Sequence, residues 1–170
     1  MASSLSLILD SVQQAILTIT PEDLPDIPWQ YTTDTALLEQ AMLQAGELAR
    51  IFAVYPLTNP EDNDRTNWSQ AEIRQSVIVE VRYHIPARFG GEMQARRLAG
   101  ADAARIFHML VIEWEYPAID GQSVSGPLIQ TRALPSRSMT SQGNDNYVMR
   151  LEFRYIYTMD ALGVDQSPAP

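Results

Sequence analysis

Two stretches of the chain alternate between apolar and polar residues. Every odd position is aliphatic or aromatic in residues 77–85 and again in residues 147–157. Successive side chains leave a β-strand on opposite faces, so this period of two predicts two long strands whose odd-numbered faces share one core. The even-numbered faces carry charges of both signs, at Glu80, Arg82, Arg150, Glu152 and Arg154. We expect such a face to meet either water or a partner.

Helical periodicity predicts two main helices and one shorter helix. The first is capped by Ser4 and ends at Pro21, with an apolar stripe formed by Leu5, Ile8, Leu9, Val12, Ile16 and Ile19. The second covers residues 92–112, and its apolar side is formed by Ala95, Leu98, Ala99, Ala103, Ile106 and Leu110. A short helix is predicted from Asp34 to Ala45, because Asp34 can cap its start and Gly46 can end it.

Two further strands and two polar loops complete the predicted order. Residues 50–55 form a buried strand that ends at Pro56, and residues 128–134 form another. Long polar loops are predicted over residues 58–70 and 135–146, and a disordered tail over residues 161–170. Trp29 and Tyr31 are expected to anchor an irregular connection to the body. The prediction is a single α+β domain over residues 1–160, with an antiparallel or mixed four-stranded sheet and helices packed on one face.

Charge and composition narrow the classes of function. The formal charge is −9, and residues 1–75 hold 11 acidic and three basic residues, whereas residues 76–170 hold 10 acidic and nine basic ones. This balance argues against a broad nucleic-acid surface, which requires a basic footprint. The chain has no cysteine, and no apolar run approaches the ~20 residues of a membrane helix. We therefore expect a protein made in the cytoplasm without contact with a membrane.

No arrangement of residues indicates catalysis. The chain has no GxSxG elbow and no GxGxxG after a strand, and the GGEMQARRLAG segment lacks the lysine of a P-loop. His84 and His108 have no neighbours that suit a metal site or a general base. Glu61, Asp62 and Asp64 could be imagined as a calcium site, but EF-hand spacing is absent and a solvated loop is the favoured interpretation. The expectation is a protein without enzymatic activity, cofactor or metal.

Two groups of residues remain as a candidate interface. On the even-numbered strand faces, Glu80 and Arg82 are available to Arg150, Glu152 and Arg154, either as cross-strand pairs in a solvated face or for a partner. The loop of residues 58–70 is longer than a hairpin needs, so its carboxylates Glu61, Asp62 and Asp64 could reach arginines of a partner, with Trp68 as an apolar anchor. A solvated loop is the equally weighted alternative. Arg96, Arg97 and Arg105 are interpreted as a solvated helix face rather than a basic patch.

The order of elements resembles the tail terminator, or tail completion, proteins of long-tailed bacteriophages, of which the lambda-type minor tail protein is an example. LARIFAVYPLT, residues 48–58, is similar to the first apolar strand of that family, and VEVRYHIPA, residues 79–87, is similar to its second. LIQTRALPSR and NYVMRLEFRYIYTMD resemble its closing strand pair. The resemblance covers about residues 3–18 and 48–160, and the segment of residues 23–46 departs from the compact family pattern.

The resemblance implies a structural virion protein of the tail or neck. It implies a ring of identical subunits, usually a hexamer, that caps the tail tube, ends its polymerisation and meets the connector or stopper protein on the head side. DNA would pass through the lumen without specific binding, which suits an acidic protein. Two alternatives stay open: a head-tail joining protein of the neck, and a small α+β ligand-binding or enzyme domain with a pocket between sheet and helices.

Overall fold

The computed structural model describes residues 4–20, 27–33, 48–57, 63–64, 70–114, 129–139 and 145–160. The helices are α1 (Ser4–Leu17) and α2 (Gly91–Phe107), the latter preceded by a 3₁₀ turn (Ala87–Phe89) and followed by a π-helical turn (His108–Glu113). The strands are β1 (Gln30–Tyr31), β2 (Ala49–Leu57), β3 (Asn63–Asp64), β4 (Gln70–His84), β5 (Ile129–Met139) and β6 (Asp145–Asp160).

Four long strands form the body of a mixed sheet. Their spatial order is β2-β4-β6-β5, with every pair antiparallel. The two-residue strand β1 pairs parallel with β2, which makes the sheet mixed, and β3 pairs with β4. The predicted fold class is therefore confirmed: an α+β sheet of four main strands with two helices packed on it, in one compact body.

The core lies between the two helices and the face formed by the odd-numbered residues of β4 and β6. We call this the helical face of the sheet, and the opposite side the second face. The apolar stripes of both helices enter a single cluster with the strands, as their periodicity predicts. The helix residues in this cluster include Ile8, Val12, Ile16, Leu98, Ile106 and Leu110, and the strand residues include Phe52, Val77, Val79, Val81, Met149, Leu151 and Phe153.

Strands β4 and β6 are the longest elements and set the register of the whole sheet. They pair over 14 residues of β4, from Gln70 opposite Asp160 to Tyr83 opposite Tyr147. Glu80 is thereby opposite Arg150, on the second face. Strand β2 pairs with β4 only over the stretch from Ser76 to His84. At an antiparallel rise of about 3.4 Å per residue, β4 alone spans roughly 50 Å.

The strands extend further than the sequence pattern indicated, which corrects four predicted boundaries. Strand β4 begins at Gln70, ahead of the alternating pattern that starts at residue 77, and the predicted loop before it contains β3. The predicted loop of residues 135–146 is largely strand, because β5 continues to Met139 and β6 begins at Asp145. Strand β2 continues through Pro56 to Leu57. Prolines are tolerated at strand edges, where no ladder N–H is needed, and Pro135 lies on the edge strand β5.

Glycine makes the turn into α2 possible. Gly90 has φ 100° and Gly91 φ 56°, both in the left-handed region that other residues rarely adopt. A Cβ added at Gly90 would lie 2.8 Å from Cβ of Gln94, so this position excludes a side chain on steric grounds as well. The predicted helix over residues 92–112 is confirmed in extent, since α2 and the π-helical turn together cover residues 91–113. The last six of these residues form the π-helical turn.

Several predictions fall outside the described residues: the short helix of residues 34–45, the tail of residues 161–170, and most of the loop of residues 58–70. Trp29 is buried, and its ring meets Phe52 edge-on at a centroid distance of 5.7 Å. Tyr31 packs on the same Phe52 ring at 5.3 Å. The expected anchoring by these two aromatic residues is therefore observed. In the parts of the chain that are described, no helix is long and apolar enough to cross a membrane.

Candidate functional site

Glu80 is the centre of a polar cluster on the second face. Its Oε2 accepts hydrogen bonds from Nε of Arg150 at 2.7 Å and from the hydroxyl of Tyr55 at 2.9 Å. Its Oε1 accepts one from Nε of Arg82 at 2.9 Å, and an Arg82 terminal nitrogen lies 2.8 Å away. The three donors come from β2, β4 and β6, which are neighbours in the sheet. The cross-strand charge pair expected between β4 and β6 is thus formed by Glu80 and Arg150.

The surroundings of Glu80 keep it ionised although it is buried. Burial alone would raise the pKa of the carboxyl group, but the hydrogen bonds from Arg150, Arg82 and Tyr55 outweigh it and lower the pKa below the usual 4.5. The same contact acts in the opposite direction on Tyr55: partial burial and the adjacent Glu80 charge raise the pKa of its hydroxyl to about 12. The cluster therefore holds one carboxylate, two guanidinium groups and a neutral phenol at neutral pH.

The expectation that the even-numbered face of β4 meets water or a partner is wrong at this position. Glu80 is only 2% exposed, and a small apolar cluster of Ala49, Ile51 and Ala53 is buried on the same face of the adjoining strand β2. A charge is tolerated in such a place only if its hydrogen-bonding capacity is satisfied. The two arginines and Tyr55 meet that requirement within the chain.

The arginines around Glu80 differ in how far they reach solvent. The Arg150 side chain is 49% exposed and that of Arg82 is 11% exposed. Glu152 and Arg154, one and two positions further along the same face of β6, are partly exposed. The buried Nε of Arg154 has no hydrogen-bond partner within the described structure. We call Arg82, Arg150 and Arg154, which share this face with the buried Glu80 carboxylate, the arginine rim. Arg150 is the most exposed of the three, so a partner would meet it first.

The structure brings only part of the predicted interface together. Glu80, Arg82, Arg150, Glu152 and Arg154 lie on one face of two adjacent strands. Asp64 lies in β3, opposite Glu72 of β4. The remaining candidates Glu61, Asp62 and Trp68 lie outside the described residues, so their relation to the arginine rim stays a prediction.

A second polar cluster, which the sequence analysis missed, lies on the helical face around Asp102 of α2. The Asp102 side chain is fully buried and accepts hydrogen bonds from a terminal nitrogen of Arg50 at 3.1 and 3.2 Å. The Tyr83 hydroxyl donates to the same carboxylate at 2.9 Å, and Arg105 at 3.3 Å. The cluster connects β2, β4 and α2 through the middle of the apolar core.

Arg50 also holds the segment that precedes the sheet. Its second terminal nitrogen donates to the carbonyl oxygen of Ile27, and its guanidinium lies 4.2 Å from the centre of the Trp29 ring. Trp29 in turn donates through its ring nitrogen to the carbonyl oxygen of Ile19 at 3.0 Å. Burial and the nearby Asp102 charge raise the pKa of Tyr83 well above 10, so this phenol stays neutral. These contacts stabilise the fold and leave no opening to solvent at Arg50.

The sequence did contain a signal for this cluster. Asp102 is in phase with Leu98, Ala99 and Ile106, so it lies on the apolar stripe of its helix. Arg50 alternates with Phe52 and Val54 on the buried face of β2. Two opposite charges at core positions of separate elements indicate a buried ion pair, because neither could be buried alone. Arg105, assigned to a solvated helix face, is a partner of this pair.

The exposed side of α2 and the π-helical turn carry two ion pairs. His108 is exposed, and its Nδ1 lies 3.2 Å from a carboxylate oxygen of Glu113. Arg96 pairs with Glu92 at 2.9 Å on the exposed side of α2, as their spacing of four predicts. Among the described residues, no three histidine or acidic side chains are grouped so that they could hold a metal ion.

No protein-family model matches the sequence, and no curated protein matches it significantly.

Proposed function

We propose that this protein is a structural subunit of a long-tailed bacteriophage, the tail terminator, which forms a ring on the end of the tail tube. The observation that carries the proposal is the order of elements within one sheet: a helix, two antiparallel strands, a second helix and a closing antiparallel pair. This is the order on which the resemblance to the terminator family rests.

The sheet gives the resemblance a structural basis. The four sequence segments that resemble the family each overlap one of the four long strands β2, β4, β5 and β6. In addition, the segment that departs from the family pattern, residues 23–46, precedes β2 and contributes only the two-residue strand β1 to the described sheet. The similarity is therefore concentrated in the elements that determine the fold, while the departure lies outside its long strands.

The second face supports a role in assembly. Its arginine rim lies on strands whose other face is committed to the core, so a contact through Arg150, Glu152 or Arg154 would not disturb the core. Arginine is favoured in protein interfaces because its fork-shaped head group can bind a carboxylate through two hydrogen bonds. Neighbouring subunits, the tube protein and the head-side connector are the partners that the proposal assigns to this surface and to the acidic segment before β4.

Electron microscopy of the purified chain, alone and mixed with tail tubes, tests the proposal. We expect ring-shaped particles with a central channel and, in the mixture, rings on one end of each tube. Deletion of the gene from its phage should give overlong tubes and heads without tails, and expression of the protein from a plasmid should restore normal tails.

The outcomes separate the proposal from its rivals. Rings that bind the head connector but not the tube, in a phage whose tails keep normal length after deletion, would identify a neck protein instead. A chain that stays monomeric at high concentration and is absent from purified virions would contradict a structural role altogether.

A further inference from the structure

The two ends of α2 carry exposed apolar side chains. Among the described residues, the large apolar side chains left exposed are Leu17, Phe89, Met93 and Ile112. Phe89 and Met93 lie where α2 begins, and Ile112 lies in the π-helical turn where it finishes. At ~1.5 Å per residue, Met93 and Ile112 are separated by roughly 28 Å along the helix. The chain therefore has two distant surfaces at which apolar area remains in contact with water.

The first surface is basic, and we call it the basic end. It is formed by Arg88, Phe89, Met93, Arg96 and Arg97, and Met93 is 83% exposed. Arg96 and Arg97 are both exposed. Glu92 is the acidic residue of this stretch and pairs with Arg96 at 2.9 Å. Three arginines against one glutamate leave a local excess of positive charge on a chain whose net charge is −9.

The second surface is acidic, and we call it the acidic end. It is formed by Ile112 and Glu113 of the π-helical turn, together with Asp10 of α1, the helix that this turn contacts. Ile112 is 63% exposed, and the side chain of Glu113 is 52% exposed. The ring nitrogen of Trp114 donates to the hydroxyl of Ser11 at 2.9 Å, so α1 lies against the residue that follows the π-helical turn. Asp10 precedes Ser11 in α1 and is exposed, which places its charge at the same end of the molecule.

Gly100 gives a second, independent indication that something approaches this helix. It lies in the interior of α2, where glycine lowers helix stability relative to alanine. A Cβ added at Gly100 would have no described atom within 4 Å, so packing inside the chain does not require a glycine here. Gly100 is on the exposed side of α2, as are Met93, Arg97 and Ala104. The backbone of a neighbouring molecule could come close to α2 at a position without a side chain.

We propose that the basic end of α2 docks on the acidic end of α2 and α1 in a second copy of this chain. The charges of the two ends are opposite, and each end has an exposed apolar side chain. One contact would therefore pair the opposite charges and remove the apolar area of both ends from water. A contact between two different surfaces repeats from copy to copy and closes into a ring when the rotation fits. The inference rests on the proposed ring and assigns the surfaces through which its subunits meet.

Charge reversal and its rescue test the contact on the full chain. We expect Met93→Glu and Arg97→Glu each to weaken self-association by about tenfold or more, as for residues at the centre of an interface, measured by sedimentation velocity and by counting rings in micrographs. Combining Arg97→Glu with Glu113→Arg should restore rings, because the two variants exchange one positive and one negative charge between the ends and so keep an opposite-charge pair across the contact. Gly100→Gln should weaken association while the thermal unfolding midpoint stays equal or rises.

The matched control for Met93→Glu is Thr20→Glu, which changes the net charge by the same amount at an exposed residue outside both ends. Association that falls equally in both variants would show a general charge effect and overturn the inference. Wild-type rings that are unaffected by every variant of the two ends, or a double reversal that stays dissociated, would also overturn it and leave the proposed function intact. Wild-type protein that forms no ring, alone or on tubes, would overturn the proposed function and the inference together.

Discussion

The two faces of the sheet each hold a buried carboxylate, and both carboxylates accept hydrogen bonds from two arginines and one tyrosine. On the helical face, Asp102 has Arg50, Arg105 and Tyr83; on the second face, Glu80 has Arg82, Arg150 and Tyr55. The donors are the same in kind, but the depth of the clusters differs. Arg50 is 1% exposed, whereas Arg150 is 49% exposed.

This difference in depth separates a structural cluster from one that remains available to partners. The Asp102 cluster ties together a helix and two strands, and its central arginine has no path to water. In the Glu80 cluster, the carboxylate is satisfied by the sheet itself while the side chain of one of its two arginines, Arg150, lies at the surface. A partner could therefore exchange contacts with Arg150 at little cost to the fold, but any change at Arg50 must be compensated inside the core.

The largest expected effect follows from Arg50→Met. It leaves Asp102 buried with weaker compensation, and breaking a buried pair in this way costs about 3 to 5 kcal/mol of the free energy of unfolding. Urea denaturation followed by circular dichroism measures it. A variant in which Arg50, Tyr83 and Asp102 become Met, Phe and Leu should recover most of the loss, because no buried charge is left unpaired. A triple variant as unstable as Arg50→Met would contradict this explanation.

A smaller effect is expected from Glu80→Gln, which removes the charge on the second face. We expect a loss of about 1 to 3 kcal/mol, because charge-assisted hydrogen bonds are weakened while Arg150 can turn to water. The same denaturation experiment measures it, with Tyr55→Phe as a control that removes one donor and keeps the charge. A loss as large as that of Arg50→Met would mean that the two faces are equally structural.

Acid titration of the unfolding free energy tests the contribution of the Glu80 charge on the second face. The pKa of Glu80 is lowered in the folded state, so the unfolded chain binds the proton first as the pH falls. The stabilisation by Glu80 is therefore complete above pH 4.5 and is lost as the pH falls through the lower folded-state pKa. The difference in stability between wild type and Glu80→Gln should shrink below pH 4.5. A difference that is constant down to pH 2 would show that the Glu80 charge contributes nothing.

The smallest effect is expected from Arg96→Gln, which breaks the exposed pair with Glu92. Exposed pairs four residues apart in a helix contribute only about 0.3 to 0.5 kcal/mol, since water screens the charges. Denaturation at a protein concentration where the chain is monomeric measures this contribution without interference from assembly. The loss of unfolding free energy should then decrease from the Arg50 variant through the Glu80 variant to the Arg96 variant, as burial of the residue decreases. A larger loss for Arg96→Gln than for Glu80→Gln would contradict this order.

The periodicity in the sequence was sufficient to predict the elements that have one apolar side and one polar side. The period of two in β4 and β6 identified both strands and the residues of each that enter the core, and the stripes at Ile8 and Leu98 did so for the helices. The extent of the strands was less accessible. Residues 70–75 of β4 and 135–139 of β5 hold polar residues or proline, and they become strand because a partner strand supplies their hydrogen bonds.

The candidate interface could be predicted only in part, because it too depends on which strands lie side by side in the sheet. Position in the pattern placed Glu80 and Arg82 on the same sheet face as Arg150, Glu152 and Arg154, but the register of β4 and β6 decided that Glu80 meets Arg150. The pattern did not reveal that Tyr55 approaches from β2, or that Glu80 is buried. Both depend on which strand lies beside β4, and strand order is not encoded in the period.

The sequence by itself determined the fold class, the core-facing side of each main element and the absence of cysteine chemistry, because each of these depends on composition or on the spacing of neighbouring residues. Only the tertiary structure decided which charges are buried and which arginines reach solvent. Asp102 and Arg50 each lie in phase with core residues of their own element, but they are 52 residues apart and only the packed structure shows that they meet. Burial is a property of the packed layers, so it emerges only when helix and sheet come together.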